Sequence, residues 1–343
     1  MNILLTGGLG FIGSHTVVEL VNSGRSVIIF DNLSNSRIEV LNKLYRLCDK
    51  NKITFVKGDV LDVNELQQLN NYEINTVIHY AAFKSVNESI KKPLEYYQNN
   101  ITGLLNLLNY CKGNNINNFI FSSSATVYGS STSPLIEESN TGIGITNPYG
   151  QTKYMAEQIL KDFSKSQSKF NIICLRYFNP VGAHKSGLIG EDPNDIPNNL
   201  MPYVLRVAVK NNLDSSLDNI YSYLSIFGSD YDTPDGTCQR DFIHVVDLAK
   251  AHVAAVKKIG SYNNFEVFNI GTGKGTSVLE IIETFRDINN IKLPYVLKDR
   301  RPGDNAITFC DCKKANKMLE WKAELNINDI CLDTFNFAKK LLN

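Results

Sequence analysis

An α/β fold, a doubly wound parallel sheet with a smaller C-terminal α/β lobe, is what this 343-residue sequence predicts. Three observations carry that prediction. Apolar runs of strand length alternate with segments of helical periodicity through residues 1–180, as a sheet with crossover helices requires. A glycine turn, Gly7-Gly8-Leu9-Gly10-Phe11-Ile12-Gly13, joins the first apolar run to the first helix. Beyond Val181 the alternation stops, and loops rich in Asn, Asp and Pro are mixed with short apolar pieces.

The opening segment is the most specific. Asn2 to Thr6 suits a buried parallel strand. Val17, Val18, Leu20 and Val21 recur at helical spacing, Asn22-Ser23-Gly24 breaks the helix, and Val27 to Phe30 is a second strand ending in Asp31. Strand, glycine turn, helix and strand in this order form a dinucleotide-binding unit of Rossmann type. Gly7 permits the tight turn, Gly10 lets the backbone approach a pyrophosphate, and Gly13 lets the helix pack closely on the sheet. The helix N-terminus offers unpaired N–H groups and a positive dipole end to the phosphates. Asp31 stands where a carboxylate accepts from the adenosine ribose and repels a 2′-phosphate, which favours NAD over NADP. The spacing is G-x-x-G-x-x-G, so taken alone it also fits an ordinary glycine-rich strand–helix turn.

The following elements repeat the pattern. A helix carries Leu41, Leu44, Tyr45 and Leu47, and Ile53 to Val56 is a third strand leading to Asp59 and Val60. Val63, Leu66 and Leu69 suggest a helix, and Thr76 to Tyr80 a fourth strand followed by the small residues Ala81-Ala82. Lys84 lies just beyond that strand end; it reads equally as a cofactor contact or as a solvated loop lysine. Pro93 to Tyr110 reads as one long helix, and a fifth strand from Asn117 ends in Ser122-Ser123-Ser124. Residues 130–148 read as a loop, Tyr149 to Lys153 open a helix, and Ile172 to Leu175 form a sixth strand running into Arg176-Tyr177-Phe178-Asn179-Pro180. A final helix covers Ile327 to Leu342. Ligands of such sheets bind beyond the carboxyl ends of the strands, where the glycine turn, Asp31, Ala81 and Ser124 all fall.

Composition excludes several classes. Lys+Arg and Asp+Glu both number 35, so a nucleic acid or an anionic membrane is not expected as the main partner. No stretch reaches the roughly 18 apolar residues of a membrane span. The N-terminus enters a strand with no signal peptide, which predicts a cytoplasmic protein. Seven cysteines are scattered, and Cys310-x-Cys312 is the only close pair. Without a second pair or a histidine at zinc spacing, they read as free thiols, and no metal site is expected.

Tyr149 and Lys153 lie four apart on one helix face and point into one cleft. A free tyrosine, with a pKa of about 10, is a poor base at neutral pH. A nearby ammonium and the positive nicotinamide of an oxidised cofactor would favour its phenolate. Ser124, at a strand end, is placed to bond the same substrate oxygen. Tyr-x-x-x-Lys is common by chance, and alone it also fits a half-buried tyrosine beside a solvated lysine.

Together the glycine turn, Ser124 and Tyr149-x-x-x-Lys153 resemble the extended short-chain dehydrogenases/reductases. Longer runs narrow the resemblance to the UDP-glucose 4-epimerases within that family: Thr6 to Thr16, Lys92 to Asn100, Asn118 to Gly129, Leu175 to His184, Ile196 to Tyr203, Arg240 to Ala249 and Arg300 to Asp304. These runs are spread over almost the whole chain.

The resemblance implies a tightly held NAD and a role in galactose metabolism. Tyr149 would take the proton from the sugar 4-hydroxyl as hydride leaves C4 for the nicotinamide. The 4-keto sugar would then turn over, and hydride would return to its other face. Ser124 would bind the 4-oxygen, and Lys153 would bind the nicotinamide ribose and bias Tyr149 towards the phenolate. The implied cofactor positions are Gly7, Gly10, Phe11, Ile12, Gly13, Asp31, Asn32, Asn35, Ser36, Asp59, Val60, Tyr80, Ala81, Ala82, Lys84, Asn99, Ser122 and Tyr177, with Tyr149 and Lys153. The implied UDP-sugar positions are Lys84, Ser124, Tyr149, Phe178, Asn179, Asn199, Leu200, Ile226, Phe227, Arg240, Arg301, Asp304 and Thr308. Residues 1–180 would hold NAD and the catalytic group, and residues 181–343 mainly the UDP-sugar, with some segments returning to the first domain. A homodimer is implied, through a helical bundle that includes the helix from Pro93.

Two departures stand out. Asn211 to Tyr223 is longer than the connection typical of the family, and reads as a surface extension near the uridine stretch. Thr308 falls where some members carry a bulky tyrosine, and a small residue leaves room for a 2-acetamido group. Two rival readings remain. A nucleotide-sugar 4,6-dehydratase needs a further acid and base, but Ser124 is followed by Ala125-Thr126-Val127, with no carboxylate. A non-catalytic NAD-binding module would be expected to lack Tyr149 or Lys153, and both are present.

Overall fold

The computed structural model of the chain describes residues 2–342, apart from 194–196, 198, 263, 302 and 303. The first half alternates as the sequence predicts: β1 (Asn2–Thr6), α1 (Phe11–Asn22), β2 (Ser26–Asp31), α2 (Glu39–Leu47), β3 (Ile53–Lys57), α3 (Val63–Leu66), β4 (Ile74–His79), α4 (Val86–Lys91), α5 (Pro93–Tyr97), α6 (Gly103–Gly113), β5 (Asn118–Ser124), α7 (Pro148–Ser166) and β6 (Asn171–Tyr177). The second half contains β7 (Asn179–Val181), α8 (Leu200–Asn212), β8 (Leu224–Phe227), β9 (Gln239–Arg240), β10 (Phe242–His244), α9 (Val245–Lys258), β11 (Phe265–Ile270), β12 (Thr276–Ser277), α10 (Val278–Asn289), β13 (Tyr295–Lys298), β14 (Ile307–Thr308), α11 (Lys313–Met318) and α12 (Ile327–Leu341).

Seven strands form one parallel sheet in the order β11-β6-β5-β4-β1-β2-β3. Its strands are apolar on both faces because helices cover both. Ile3, Leu5 and Ile29 pack among residues of α1 and α9, while Leu4, Ile28 and Phe30 pack among those of α6 and α7. The reversal of strand order between β1 and β4 opens the crevice in which ligands of such sheets lie.

The sequence differs from the structure at two points. Alternation does not stop at Val181: α9 packs on α1, and β11 pairs with β6 as the seventh strand. The 87 residues between the end of β6 and the start of β11 hide this return, because strand pairing over such a separation leaves no local periodicity. The long helix from Pro93 is also not uniform. A π turn at Gln98–Thr102 separates α5 from α6, and the helix runs on to Gly113.

A separate core, including Met201, Val204, Ile226, Ile281, Phe285 and Phe335, holds α8, α10 and α12 together as the smaller lobe. The extension after α8 folds back on that helix. Tyr203 Oη donates to Ile220 O at 2.8 Å, and Lys210 Nζ donates to Ser215 O at 3.1 Å.

Candidate active site

The glycine turn is built from steric necessity. Gly7 has φ +70°, and a Cβ there would stand 2.9 Å from Ala81 N. A Cβ on Gly13 would stand 2.5 Å from Gly7 O. Gly13 therefore lets α1 pack on the turn itself, rather than on the sheet as the spacing suggests. A Cβ at Gly10 would meet only Gly7 O within 4 Å, so the space above it is open. Gly10 caps α1 with no side-chain bond, which leaves the N–H groups around Phe11 and Ile12 facing that space.

Asp31 is 6% exposed and organises the turn as well as the cleft. Its carboxylate accepts from Leu9 N at 3.0 Å, Leu33 N at 3.0 Å and Ser36 Oγ at 2.8 Å. Asn35 lies exposed in the same loop. Asn32 donates to Asp59 at 2.9 Å, which ties the ends of β2 and β3 together. Val60 is buried against Gly103. Ala81 and Ala82 are half-buried beyond β4, and Tyr80 Oη donates to Thr16 Oγ1 at 2.8 Å.

The π turn places two asparagines in the crevice wall. Asn99 donates to Asn100 Oδ1, and Asn100 donates to Phe83 O and to Thr152 Oγ1. Asn100 thereby joins the β4 exit to α7. Sequence reasoning named Asn99 and missed Asn100; a π turn, which is common at functional sites, has no simple periodic signature.

Three side chains converge at the ends of β5 and α7. Asn147 caps α7 through Gly150 N at 2.8 Å and so fixes where the helix begins. Tyr149 is half-buried and shares a hydrogen bond with Ser124. Lys153 Nζ donates to Ser122 O at 2.6 Å and lies 4.8 Å from the Phe121 ring and 5.9 Å from the Tyr149 ring.

The electrostatics correct one expectation. Burial raises the Tyr149 phenol above its ordinary value, and only the Ser124 hydrogen bond opposes it. Lys153 does not pull it down to a phenolate in the ligand-free chain. Burial lowers the lysine itself to about 7, against the opposing charges of Cys174 and Glu157. A lysine neutralised by burial binds fewer protons folded than unfolded between about pH 7 and the unfolded value of 10.5, so its contribution to stability rises with pH across that window. Lys153→Met removes this dependence. The stability difference between parent and variant is expected to move in favour of the parent by about 2–3 kcal/mol between pH 6 and pH 9. Urea unfolding of the NAD-free proteins at both pH values checks this, and an unchanged difference contradicts it.

Beneath these residues lies a buried network that the sequence did not reveal. Glu157 accepts from Ser123 Oγ at 2.5 Å and from Arg176 at 3.0 and 2.7 Å. Arg176 also donates to Tyr128 Oη at 2.9 Å. Tyr177 is turned away from the cleft, with its hydroxyl 2.6 Å from His252 Nε2.

The smaller lobe supplies the opposite wall. Asn179 pairs with Phe242 between β7 and β10, and Phe178 is buried next to it. Asn199 and Leu200 begin α8. Lys84 is not a free loop lysine: it pairs with Glu191 at 2.7 Å, and Asn199 donates to the same oxygen at 3.1 Å. Sequence reasoning missed Glu191. Asp304 stands between two arginines, accepting from Arg301 Nε at 2.9 Å with Arg240 Nη2 3.9 Å away. Arg301 lies over the Phe227 ring at 5.1 Å, and Phe227 is 39% exposed. Ile226 differs: its side chain is in the lobe core, and it pairs with Leu297 between β8 and β13. Thr308 pairs with Arg240 between β14 and β9. Ile196 and Asn198, and Pro302 and Gly303, belong to two of the resembling runs and lie outside the described residues.

The chain thus carries a glycine turn open for phosphates, a tyrosine–serine–lysine group at the sheet edge and, on the smaller lobe, two arginines about Asp304. The model of the NAD dependent epimerase/dehydratase family matches residues 3–271. The chain belongs to the NAD-dependent epimerase/dehydratase family. A UDP-glucose 4-epimerase of Pasteurella multocida is 48% identical over 342 residues, which cover 99% of this chain and 98% of that relative. The crystal structure of UDP-glucose 4-epimerase from Bifidobacterium longum, in complex with NAD+ and UDP, is similar with a TM-score of 0.92 at 46% identity, covering 99% of this chain and 98% of its own. That of UDP-glucose-4-epimerase from Stenotrophomonas maltophila, with bound NAD and formylated UDP-arabinopyranose, has a TM-score of 0.93 at 41% identity, covering 100% and 99%.

The residues present fit the family's cofactor. The space above Gly10, the uncapped start of α1 and the acid at the end of β2 match a dinucleotide. Among the described residues, no group of three or more His, Cys, Asp or Glu side chains is arranged to hold a metal ion, and no helix is long and apolar enough to cross a membrane.

Proposed function

We propose that the chain interconverts UDP-galactose and UDP-glucose at C4, using NAD. One observation carries this reading: Ser124, Tyr149 and Lys153 meet at the carboxyl edge of the sheet. NAD, held at the glycine turn and Asp31, would supply the hydride acceptor and donor for the sugar C4. Tyr149 takes the proton of the 4-hydroxyl and later gives it back. Ser124 holds the 4-oxygen. Lys153, anchored on Ser122 O, stands beside the tyrosine and offers a donor for the nicotinamide ribose. Residues 1–180 hold the cofactor, and Arg240, Arg301, Asn179 and Asn199 hold the UDP moiety. Ala125 to Tyr128 carry no carboxylate, which argues against a dehydratase.

The direct test incubates purified protein with UDP-galactose and no added nucleotide, and looks for UDP-glucose by chromatography. Product supports both the epimerase chemistry and a retained NAD. No product, even with NAD supplied and UDP-GalNAc tried, refutes the reading.

Thr308 extends the substrate range in this proposal to UDP-GlcNAc and UDP-GalNAc, because its small half-buried side chain leaves room for a 2-acetamido group. Thr308→Tyr is expected to lower the ratio of acetylated to plain activity by about tenfold or more, as a clash in a shaped pocket does. Parallel assays on both sugar pairs check this; an unchanged ratio refutes it.

We further propose a cytoplasmic homodimer. Seven free cysteines support a reducing compartment. Ile90, Leu94, Leu105 and Met155, on α4 to α7, are 59%, 79%, 42% and 39% exposed and offer an apolar surface for a second copy.

A further inference from the structure

Cys310 and Cys312 leave β14 just beyond Thr308, and their Sγ atoms are 3.2 Å apart. They belong to a small core with Val127, Tyr128, Leu135 and Phe178. Cys310 is 1% exposed and Cys312 9%. Cys310 Sγ donates to Asp241 Oδ2 at 3.3 Å, and Cys310 N approaches the same oxygen at 3.4 Å. Burial raises the Cys310 thiol far above its ordinary value, and Cys312 and the Asp241 carboxylate add to that.

Asp241 links the pair to the sugar wall. It follows Arg240 directly, its N–H donates to Thr308 O at 3.0 Å, and its carbonyl accepts from Asn179 N at 2.9 Å. Its carboxylate also receives Thr272 N at 2.7 Å and Gly273 N at 3.0 Å. A change at the two sulfurs therefore reaches three positions of the proposed UDP-sugar site through one buried residue, whose carboxylate meets Cys310 and whose backbone meets Thr308 and Asn179.

We propose that Cys310 and Cys312 form an oxidisable pair that a hydroperoxide closes to a disulfide in the folded protein, and that closure weakens UDP-sugar binding. The second half rests on the reading of Asn179, Arg240 and Thr308 as substrate residues. Cys312, the more exposed sulfur, meets the peroxide first. Its sulfur attacks one peroxide oxygen, the O–O bond breaks, and the departing hydroxide takes the thiol proton and leaves as water. Cys312 then carries a sulfenic acid. Cys310 sulfur attacks Cys312 sulfur, and the S–O bond breaks. The Cys310 proton passes by way of Asp241 Oδ2 to the leaving hydroxide, giving a second water. Two thiols lose two electrons and two protons, and one peroxide becomes two waters. The sulfurs need to approach by roughly 1 Å to reach bonding distance. Once closed, Cys310 has no proton to donate, and Asp241 loses that partner while the chain two residues beyond Thr308 is drawn in.

The test treats the protein as purified, in a Cys48→Ser background that removes the half-buried thiol on α2's exit, with hydrogen peroxide. Remaining thiols are then alkylated in denaturant and the peptides weighed. The peptide spanning residues 310–312 is expected to be unalkylated and about 2 Da lighter, and dithiothreitol is expected to reverse this. KM for UDP-galactose is expected to rise by about threefold or more, the scale of one lost hydrogen bond, with kcat and NAD content little changed. Cys312→Ser is expected to escape both effects; should it not fold, Cys310→Ala takes its place. Two alkylatable thiols in the peroxide-treated protein, or sulfinic acid in place of a disulfide, overturn the pair as a reversible site. A disulfide with unchanged KM overturns the link to binding. The mass readout needs no turnover, so it stands apart from the fate of the epimerase reading.

Discussion

Tyr149→Phe is expected to lower kcat by about 10³-fold, within the range that a positioned proton-transfer group contributes. The substitution removes one oxygen and leaves the ring. Tyr149 is half-buried and bonds Ser124, and in the proposed mechanism its hydroxyl is the one group of the trio that both meets the substrate oxygen and exchanges a proton with it. Lys153 is held on Ser122 O, with its ammonium 5.9 Å from the Tyr149 ring, and cannot substitute for it. The glycine turn and the arginine pair are untouched, so KM and the bound NAD are expected to change little. Steady-state kinetics, with the nucleotide released on denaturation measured beside them, separate the two effects. A kcat within tenfold of the parent would remove Tyr149 from the proton transfer.

Glu157→Ala is expected to destabilise the fold by about 3–5 kcal/mol, the cost of leaving one member of a buried ion pair alone. Glu157 and Arg176 side chains are 3% and 6% exposed and meet at 2.7 Å. Burial opposes the Arg176 charge, but the hydrogen bond and charge of Glu157 outweigh it and hold the arginine above its ordinary value. Without Glu157 that guanidinium stays buried with Tyr128 and a carbonyl as its partners. Ser123 loses its acceptor as well, and it lies between Ser122, which anchors Lys153, and Ser124, which bonds Tyr149. Activity is therefore expected to fall with stability. Urea unfolding checks the first effect, and Glu157→Leu with Arg176→Met is expected to recover much of the loss, because an apolar pair leaves no buried charge. A loss below about 1 kcal/mol for Glu157→Ala would show that water reaches the arginine.

The parallel sheet, the glycine turn and the meeting of Ser124, Tyr149 and Lys153 were legible in the sequence. Their signals are local: glycines at three-residue spacing, an acid closing β2, and a tyrosine and lysine one helical turn apart. Each follows from backbone sterics or helix geometry, which operate over a few residues. The resembling runs supplied the proposed UDP-sugar positions in the same way, and of these Ile226 turns its side chain into the lobe core.

What the tertiary structure alone decided lies at long sequence separation. Strand β11 joins β6 from nearly a hundred residues away. Glu157 reaches Arg176, Glu191 reaches Lys84, and Asp241 gathers Cys310, Thr272 and Asn179. None of these pairs has a sequence period, because each depends on where separate elements dock. Protonation was decided there too. The four-residue spacing put Lys153 beside Tyr149, but only burial set the tyrosine's pKa high and the lysine's near 7, since desolvation depends on everything packed around a group and not on its neighbours in the chain.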